Sequence, residues 1–235
     1  MSRKVALIPA AGVGQRFGAP CPKQYIDLAG QTVLQHTVNR LLRLNEIELL
    51  LIVVSIEDTY IDNVNLVASW PKNVHVLRCG GSTRAETVKN GLTIAYTQFG
   101  LQQDDWILVH DAARCCVCTD SVVRLIKTVQ FDKVGGLLAI PVSDTLKLAD
   151  EKKQVCTTVD RKNMWLAQTP QMFRFGILIQ ALAHVDLFTV TDEASAVEAL
   201  GFAPKLVAGD VSNLKLTTQQ DLALVRFFLQ QEQTL

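Results

Sequence analysis

The chain of 235 residues carries 23 basic and 23 acidic side chains, so its formal net charge is zero, and 49% of its residues are apolar. This apolar content excludes a disordered chain. Balanced charge disfavours a nucleic-acid partner, which requires a basic face. The longest apolar run, Leu49–Val54, is far shorter than the roughly 20 residues that span a bilayer. We therefore expect a globular protein that binds neither nucleic acid nor membrane.

Two features of the sequence favour a cytoplasmic location. The apolar stretch after Lys4 is broken at once by Pro9 and a glycine-rich segment, which indicates a buried strand and not a signal peptide. The six cysteines include one CxxC pair, Cys115 and Cys118, but no second pair completes a zinc site. We expect reduced thiols and no structural zinc.

The first half of the chain alternates apolar strands with amphipathic helices. This alternation predicts right-handed crossovers and a doubly wound, mainly parallel, Rossmann-like α/β sheet, whose ligands bind beyond the carboxyl ends of the strands. In chain order the predicted elements are a strand at Val5–Pro9, a helix at Thr32–Leu44, strands at Leu49–Ser55 and Asn73–Cys79, a helix at Thr83–Thr97, a strand at Trp106–Val109 and a helix at Asp120–Gln130 with Asp120 as its N-cap.

The rhythm of the chain changes after Gly136. Two β-like pieces flank the polar turn Asp150–Lys153, which predicts an exposed hairpin. We expect residues 141–160 to form an inserted β-arm for dimerisation on a single domain that spans residues 1–235. The other predicted elements are a strand at Leu137–Val142, hairpin strands at Thr145–Leu148 and Val155–Val159, and helices at Arg174–His184, Asp192–Leu200 and Thr218–Gln231.

A glycine-rich segment, Pro9–Gly18, follows the first predicted strand. Glycine and alanine allow backbone N–H groups to turn toward a phosphate without obstruction by Cβ atoms. The segment is neither a Walker A loop, because no Gly-Lys-Ser/Thr follows, nor a dinucleotide fingerprint, because the third glycine comes one residue late. The glycines alone are equally compatible with a tight loop that binds no ligand.

Two cations next to this segment favour a phosphate site. Arg16 lies inside the segment, and Lys23 follows Cys21, which is flanked by Pro20 and Pro22. Prolines restrict the backbone, so the segment that carries Lys23 is expected to be rigid. Such rigidity suits a lysine that must stabilise charge as it develops at one fixed point of a reaction.

These residues resemble the signature loop of nucleotidyltransferases that act on sugar and polyol phosphates. Their spacing, and the segments that follow, are similar to the 2-C-methyl-D-erythritol 4-phosphate cytidylyltransferase family from Pro9 to about Arg226. The matching segments are, in order, Gly80-Gly81 with Arg84, His110–Arg114, Asp144-Thr145, Thr158–Arg161, Gln168–Gln171, Thr191–Ser195 and Asn213–Lys215.

The resemblance implies transfer of CMP from CTP to a polyol phosphate with release of pyrophosphate. It implies that Arg16, Lys23 and Lys215 are catalytic and stabilise charge on the α-phosphate and pyrophosphate. Lys215 is expected in a short strand near the C-terminus. Asp111 would help to hold Mg²⁺ or another divalent cation and would also face the substrate.

The remaining implied contacts concern the nucleotide, the polyol and a partner chain. Arg161 would be supplied by the arm of a partner subunit, which makes the unit a homodimer with a shared active site. The substrate residues would be Asp111, Arg114, Thr145, Arg161, Thr169 and Thr191. The nucleotide residues would be Ala10, Ala11, Gly12, Gly14, Gly81, Ser82, Arg84 and Thr87.

The chain departs from the family pattern at three positions. Ser82 and Thr83 stand where acidic residues are common, and Cys115 stands where proline is usual. Ser82 can accept a hydrogen bond from the amino group of cytosine, although more weakly than a carboxylate.

Three alternatives remain. A ribitol- or other polyol-phosphate cytidylyltransferase would share the fold and mechanism, and the stretch Ala112–Arg114 favours methylerythritol phosphate over it. A non-catalytic nucleotide-binding regulator would not need cations that converge on the α-phosphate. A dinucleotide-dependent oxidoreductase conflicts with the late glycine and with Arg16.

Overall fold

A computed structural model of the chain describes residues 2–12, 17, 21–63 and 70–232. The strands are β1 (Lys4–Pro9), β2 (Asp27–Leu28), β3 (Gln31–Thr32), β4 (Leu49–Val54), β5 (Val74–Arg78), β6 (Trp106–Val109), β7 (Gly135–Pro141), β8 (Leu146–Ala149), β9 (Val155–Val159), β10 (Trp165–Arg174) and β11 (Lys205–Ala208). The α-helices of these ranges are α1 (Val33–Leu42), α2 (Arg84–Phe99), α3 (Thr119–Val129), α4 (Phe175–His184), α5 (Glu193–Ala199) and α6 (Asp221–Glu232).

The central sheet has seven strands in the order β11-β7-β10-β6-β1-β4-β5. Strand β1 pairs in parallel with β4 on one side and β6 on the other. Strand β10 is antiparallel to both of its neighbours, β6 and β7. The predicted doubly wound, mainly parallel sheet is confirmed, and the chain reverses its direction of winding beside β1, where such sheets bind ligands.

Both faces of the sheet are covered by helices. Along β1, Ala6 and Ile8 join one apolar cluster and Val5 and Leu7 join the other, because successive side chains of a strand point to opposite faces. Helices α1 and α3 cover the first cluster, and α2, α4 and α5 cover the second. The core therefore fixes the strand ends that carry the polar loops.

The predicted hairpin is confirmed as a two-stranded sheet of its own, in which β8 pairs antiparallel with β9 and Leu146 lies opposite Val159. Its strands are mostly exposed, as expected of an arm that projects from the main sheet.

Two sequence predictions of local structure are wrong, and two strands were missed. Helix α3 begins at Thr119 with Cys118 as its N-cap, so Asp120 lies in the first turn and is not the cap. Lys215 does not lie in a strand; its segment is irregular and is held by a hydrogen bond from Leu216 N to Ala113 O. Strands β10 and β11 were not predicted, and both lie in the central sheet.

In the described ranges, no helix is long and apolar enough to cross a membrane.

Candidate active site

A cavity of about 500 Å³ opens at the carboxyl ends of β1, β5 and β6. It brings together most of the nucleotide and catalytic residues predicted from the sequence. Those that line it are Ala10, Ala11, Gly12, Lys23, Gly81, Ser82, Arg84, Thr87, Asp111 and Lys215.

The first loop packs closely against the double-glycine turn. A Cβ atom on Gly80 would lie 2.3 Å from the Cβ of Ala11 and 2.9 Å from the carbonyl oxygen of Val54. Only glycine therefore allows this approach without a shift of the backbone. The buried Gln24 braces the same loop, since its Nε2 donates to Ala10 O at 2.8 Å and to Gly12 O at 3.1 Å.

Lys23 is held at the mouth of the cavity by the segment that carries Lys215. Its Nζ donates to the carbonyl oxygen of Leu216 at 3.0 Å. Leu216 is fully buried in an apolar cluster with Val225 and Leu229 of helix α6. Helix α6 thus fixes the segment that contains Lys215 and Leu216. The residue that binds Lys23 is therefore the direct neighbour of Lys215.

Three cations surround the carboxylate of Asp111. Lys215 Nζ lies 2.8 Å from Oδ2, Arg84 Nε lies 2.7 Å from Oδ1, and Arg114 Nε lies 3.7 Å from Oδ2. Burial alone would raise the pKa of Asp111, but the charges of Arg84, Lys215 and Arg114 outweigh burial and hold it well below its usual range. Asp111 is therefore ionised at neutral pH.

Arg84 joins Asp111 to a second carboxylate, that of Glu193. Its Nη1 and Nη2 donate to the two oxygens of Glu193 at 2.6 and 3.0 Å, while its Nε donates to Asp111. Burial lowers the pKa of Arg84, but the two ion pairs raise it above its ordinary value. Arg84 lines the cavity, and its guanidinium is engaged by these two carboxylates.

A chain of hydrogen bonds fixes the backbone at Asp111. Its N–H donates to Thr169 Oγ1 at 3.0 Å, and this hydroxyl lies 3.0 Å from His110 Nδ1. His110 Nε2 lies 3.1 Å from Arg114 O, which can only accept, so we assign the proton of the neutral ring to Nε2. Burial lowers the pKa of His110 to about 4. His110 therefore has a structural role, which is to hold the loop that carries Asp111. The hydroxyl of Thr169 belongs to the same chain of hydrogen bonds.

A second cavity of about 280 Å³ adjoins the first, and both are lined by Arg84, Asp111 and Lys215. It is where the structure places three further residues predicted to face the polyol substrate, namely Arg114, Thr169 and Thr191.

The double-glycine turn satisfies its own backbone donors. Gly81 N–H donates to Thr87 Oγ1 at 3.1 Å, and Ser82 N–H donates to a carboxylate oxygen of Glu86 at 2.6 Å. With these two N–H groups occupied, the turn offers mainly hydrogen-bond acceptors to a nucleotide base in the cavity. One of them is the exposed hydroxyl of Ser82. An exocyclic amino group, which cytosine has and uracil lacks, is the complementary donor.

Two of the predicted residues that the structure describes are not brought into these cavities. Thr145 and Arg161 lie at the base of the arm, where Arg161 donates to Ser143 O, and neither lines a described cavity. Gly14 and Arg16 lie outside the described residues.

A metal site made of protein groups alone is not found: the described ranges contain no cluster of three or more His, Cys, Asp or Glu side chains that could hold an ion. Among the residues that the structure describes, Asp111 is the single carboxylate that lines the larger cavity. Mg²⁺ is commonly bound by one or two carboxylates together with substrate phosphates. The residues therefore fit a divalent cation that shares its ligands with a triphosphate.

Sequence reasoning missed the role of Glu193. In the sequence it resembles any acidic residue in the first turn of a helix, directly after the N-cap Asp192. The one available signal is that Glu193 lies in the segment Thr191–Ser195, which resembles the family pattern. No local pattern pairs it with Arg84.

Glycine turns at the ends of parallel strands and two lysines from distant segments, arranged around a cavity of nucleotide size, mark the chain as a nucleotidyltransferase. The model of the 2-C-methyl-D-erythritol 4-phosphate cytidylyltransferase family matches residues 4–231. The chain belongs to this family.

Individual relatives agree over almost the whole length. The 2-C-methyl-D-erythritol 4-phosphate cytidylyltransferases of Laribacter hongkongensis and Neisseria meningitidis serogroup B are 52% and 50% identical, with 97% of this chain covered and 97% and 99% of theirs. A crystal structure of 4-diphosphocytidyl-2C-methyl-D-erythritol synthase superposes with a TM-score of 0.86 at 45% identity, covering 97% of this chain and 99% of that one. The Thermus thermophilus enzyme gives a TM-score of 0.75 at 28% identity, with 98% and 100% covered.

Proposed function

We propose that this enzyme transfers the cytidylyl group of CTP to 2-C-methyl-D-erythritol 4-phosphate in the synthesis of isoprenoid precursors. A phosphate oxygen of the polyol attacks the α-phosphorus of CTP and forms a new P–O–P bond. The bond from the α-phosphorus to the bridging oxygen breaks, and pyrophosphate leaves with that electron pair. The products are the CDP-linked alcohol and pyrophosphate.

The reaction needs placement and charge stabilisation more than proton transfer. A phosphate monoester has a second pKa near 6, so the nucleophile is already mostly a dianion at neutral pH and needs no general base. Two anions must then be held in line, and the charge that develops on the α-phosphate must be stabilised. Lys23, Lys215 and, by resemblance, Arg16 are assigned this work.

One observation carries the proposal. Lys23 and Lys215 reach one cavity from distant parts of the sequence, and Leu216 O binds Lys23 one residue after Lys215. The adjoining cavity, lined by Arg114, Thr169 and Thr191, suits a second anion beside the first. We assign the larger cavity to CTP and the smaller one to the polyol phosphate.

The test is pyrophosphate release with CTP and Mg²⁺ across methylerythritol, ribitol and glycerol phosphates. The proposal expects a much higher kcat/KM for methylerythritol phosphate than for the other two. Preference for ribitol phosphate would favour the alternative substrate, and the family match counts against that outcome.

We further propose that Mg²⁺, or another divalent cation, enters with the triphosphate and is held by Asp111 directly or through water. When bound, it would neutralise phosphate charge near the leaving group. For Oδ2 of Asp111 to take part, Lys215 would have to exchange this carboxylate for a phosphate oxygen.

We propose that the working unit is a homodimer. The arm and the strand that follows it expose apolar side chains to solvent in the single chain, among them Leu148, Val155, Trp165 and Leu166. Arg161 and Thr145 lie on the same projecting segment, so a partner's arm can deliver both to the polyol cavity. We also propose a cytoplasmic location, where CTP is made.

A further inference from the structure

The structure contains a buried carboxylate, Glu193, that lines neither of the two cavities of the candidate active site. It is 1% exposed and pairs through both oxygens with the two terminal nitrogens of Arg84. Burial of a charge costs several kcal/mol unless the charge is paired with good geometry. The two hydrogen bonds from Arg84 supply that pairing.

We propose that Glu193 is a positioning residue for the active-site carboxylate Asp111 and that it acts through Arg84. The inference rests on the proposed function, because it assigns Asp111 to the site where CTP and the polyol phosphate meet. Glu193 itself would touch neither substrate.

The geometry of Arg84 gives the reason. A guanidinium is planar and can bind a carboxylate with two parallel hydrogen bonds. With both Nη atoms held by Glu193, Arg84 offers only Nε to Asp111, at 2.7 Å from Oδ1. Oδ2 of Asp111 is therefore left to Lys215, at 2.8 Å, on the side of the cavities.

Removal of the charge of Glu193 would release the two terminal nitrogens of Arg84. Arg84 could then rotate and bind both oxygens of Asp111, which would withdraw Oδ2 from Lys215. The carboxylate of Asp111 would then turn away from its present position, in which it lines both cavities. A misplacement of about 1 Å near a reacting centre can cost about 100-fold in rate, so we expect a loss of about 10- to 100-fold.

The ion pair is not required to attach helix α5. The capping box between Asp192 and Ser195 already satisfies the start of this helix. Gln171 of β10 also fixes it, since its Nε2 donates to Asp192 Oδ2 at 2.9 Å and its Oε1 accepts from Ala194 N at 2.8 Å. Because these contacts hold the helix in place, we expect loss of the Glu193 charge to affect the site more than the fold.

A double-mutant cycle tests the proposal, with Glu193→Gln, Asp111→Asn and the combined variant compared with the wild type. We expect Glu193→Gln to lower kcat by about 10- to 100-fold and to leave the KM for CTP within about threefold. In the Asp111→Asn background the same change should cost less than about twofold, because residues that act as one unit are not additive. Glu193→Asp, which keeps the charge, should recover part of the loss.

Two further measurements keep the result interpretable. Glu198→Gln removes the same charge from an exposed position of the same helix and should leave kcat unchanged. If Asp111→Asn is too slow to assay, the cycle is measured on binding of methylerythritol phosphate by calorimetry, with a non-hydrolysable CTP analogue present.

An equal loss from Glu193→Gln in both backgrounds would overturn the proposal, because a merely structural role is additive. The same holds if kcat stays at the wild-type level. Absence of pyrophosphate release from the wild type would instead reject the proposed function, so the two failures are distinct.

Discussion

The Nζ atom of Lys215 lies 2.8 Å from Oδ2 of Asp111, at the point where the two cavities meet. The side chain of Asp111 is buried, whereas that of Lys215 is 37% exposed toward the cavities. A triphosphate that enters the larger cavity offers Lys215 a partner with more charge than a single carboxylate. We propose that Lys215 then exchanges Asp111 for a phosphate oxygen, which would leave Oδ2 of Asp111 free to bind a divalent cation.

We expect Lys23→Ala and Lys215→Ala each to lower kcat by about 10²–10³, the usual loss for one preorganised charge contact in a transition state. CTP binding should change far less, because the remaining cations still hold the ground-state phosphates. Steady-state kinetics and calorimetric titration with CTP measure the two effects separately. Lys127→Ala, at an exposed position of α3, is the control. Turnover at the wild-type level in either variant would remove that lysine from the mechanism.

Ser82→Ala is expected to reduce the preference for CTP over UTP by about fivefold, since a hydrogen bond between neutral groups contributes about 1 kcal/mol. Turnover with CTP should stay nearly intact, because we assign Ser82 to recognition of the cytosine base and not to the phosphates that react. The ratio of kcat/KM for the two nucleotides is the measurement. Its control is Thr93→Ala, which removes an exposed hydroxyl from helix α2, the helix that follows the turn containing Ser82. An unchanged ratio would exclude the Ser82 side chain from base recognition.

Stability should fall between pH 6.5 and 4 because of His110. Burial lowers the pKa of His110 to about 4, whereas in the unfolded chain the histidine titrates near pH 6.5. In this window the unfolded chain binds a proton that the folded chain does not, so acid favours unfolding. The contribution of neutral His110 to the free energy of unfolding is fully present above about pH 6.5. As the pH falls to 4, about 3 kcal/mol of it is lost.

Urea unfolding at a series of pH values measures this effect. His110→Gln should be less sensitive to pH between 6.5 and 4 than the wild type, even if it is less stable throughout. The assignment would fail if both proteins lost stability in parallel across this window.

Subunit complementation tests the shared site. Arg161→Ala and Lys23→Ala chains should each be inactive alone, but a heterodimer would contain one site with both residues intact. A mixture in equal amounts should recover about a quarter of wild-type activity, because half of the dimers are mixed and each has one working site. No recovery, with subunit exchange verified, would contradict the proposed role of the partner's arm.

The parts of the fold that sequence reasoning predicted are those with strong local periodicity. The alternation of strands and helices up to α3 follows from apolar positions that local packing confirms, for example Leu34 and Val38 on the buried face of α1. Strand β10 was missed because its pattern is broken by polar residues. Gln168 and Gln171 are buried in it and bond to Asp210 O and Asp192 instead of facing solvent.

The site shows the same division. Lys23, Asp111 and Lys215, which line one cavity, could be predicted because each lies in a short segment that resembles the family pattern. The Arg84–Glu193 pair could not, because its partners lie 109 positions apart and meet only when α2 and α5 pack on the same face of the sheet. No local pattern encodes a contact of this kind.

The most direct measurement is a crystal structure of the enzyme with a non-hydrolysable CTP analogue and Mg²⁺. We expect Nζ of Lys23 and of Lys215 within hydrogen-bonding distance, about 3 Å, of oxygens on the α-phosphate, with Lys215 no longer bound to Asp111. A bound triphosphate whose α-phosphorus lay beyond the reach of both lysines would contradict the account.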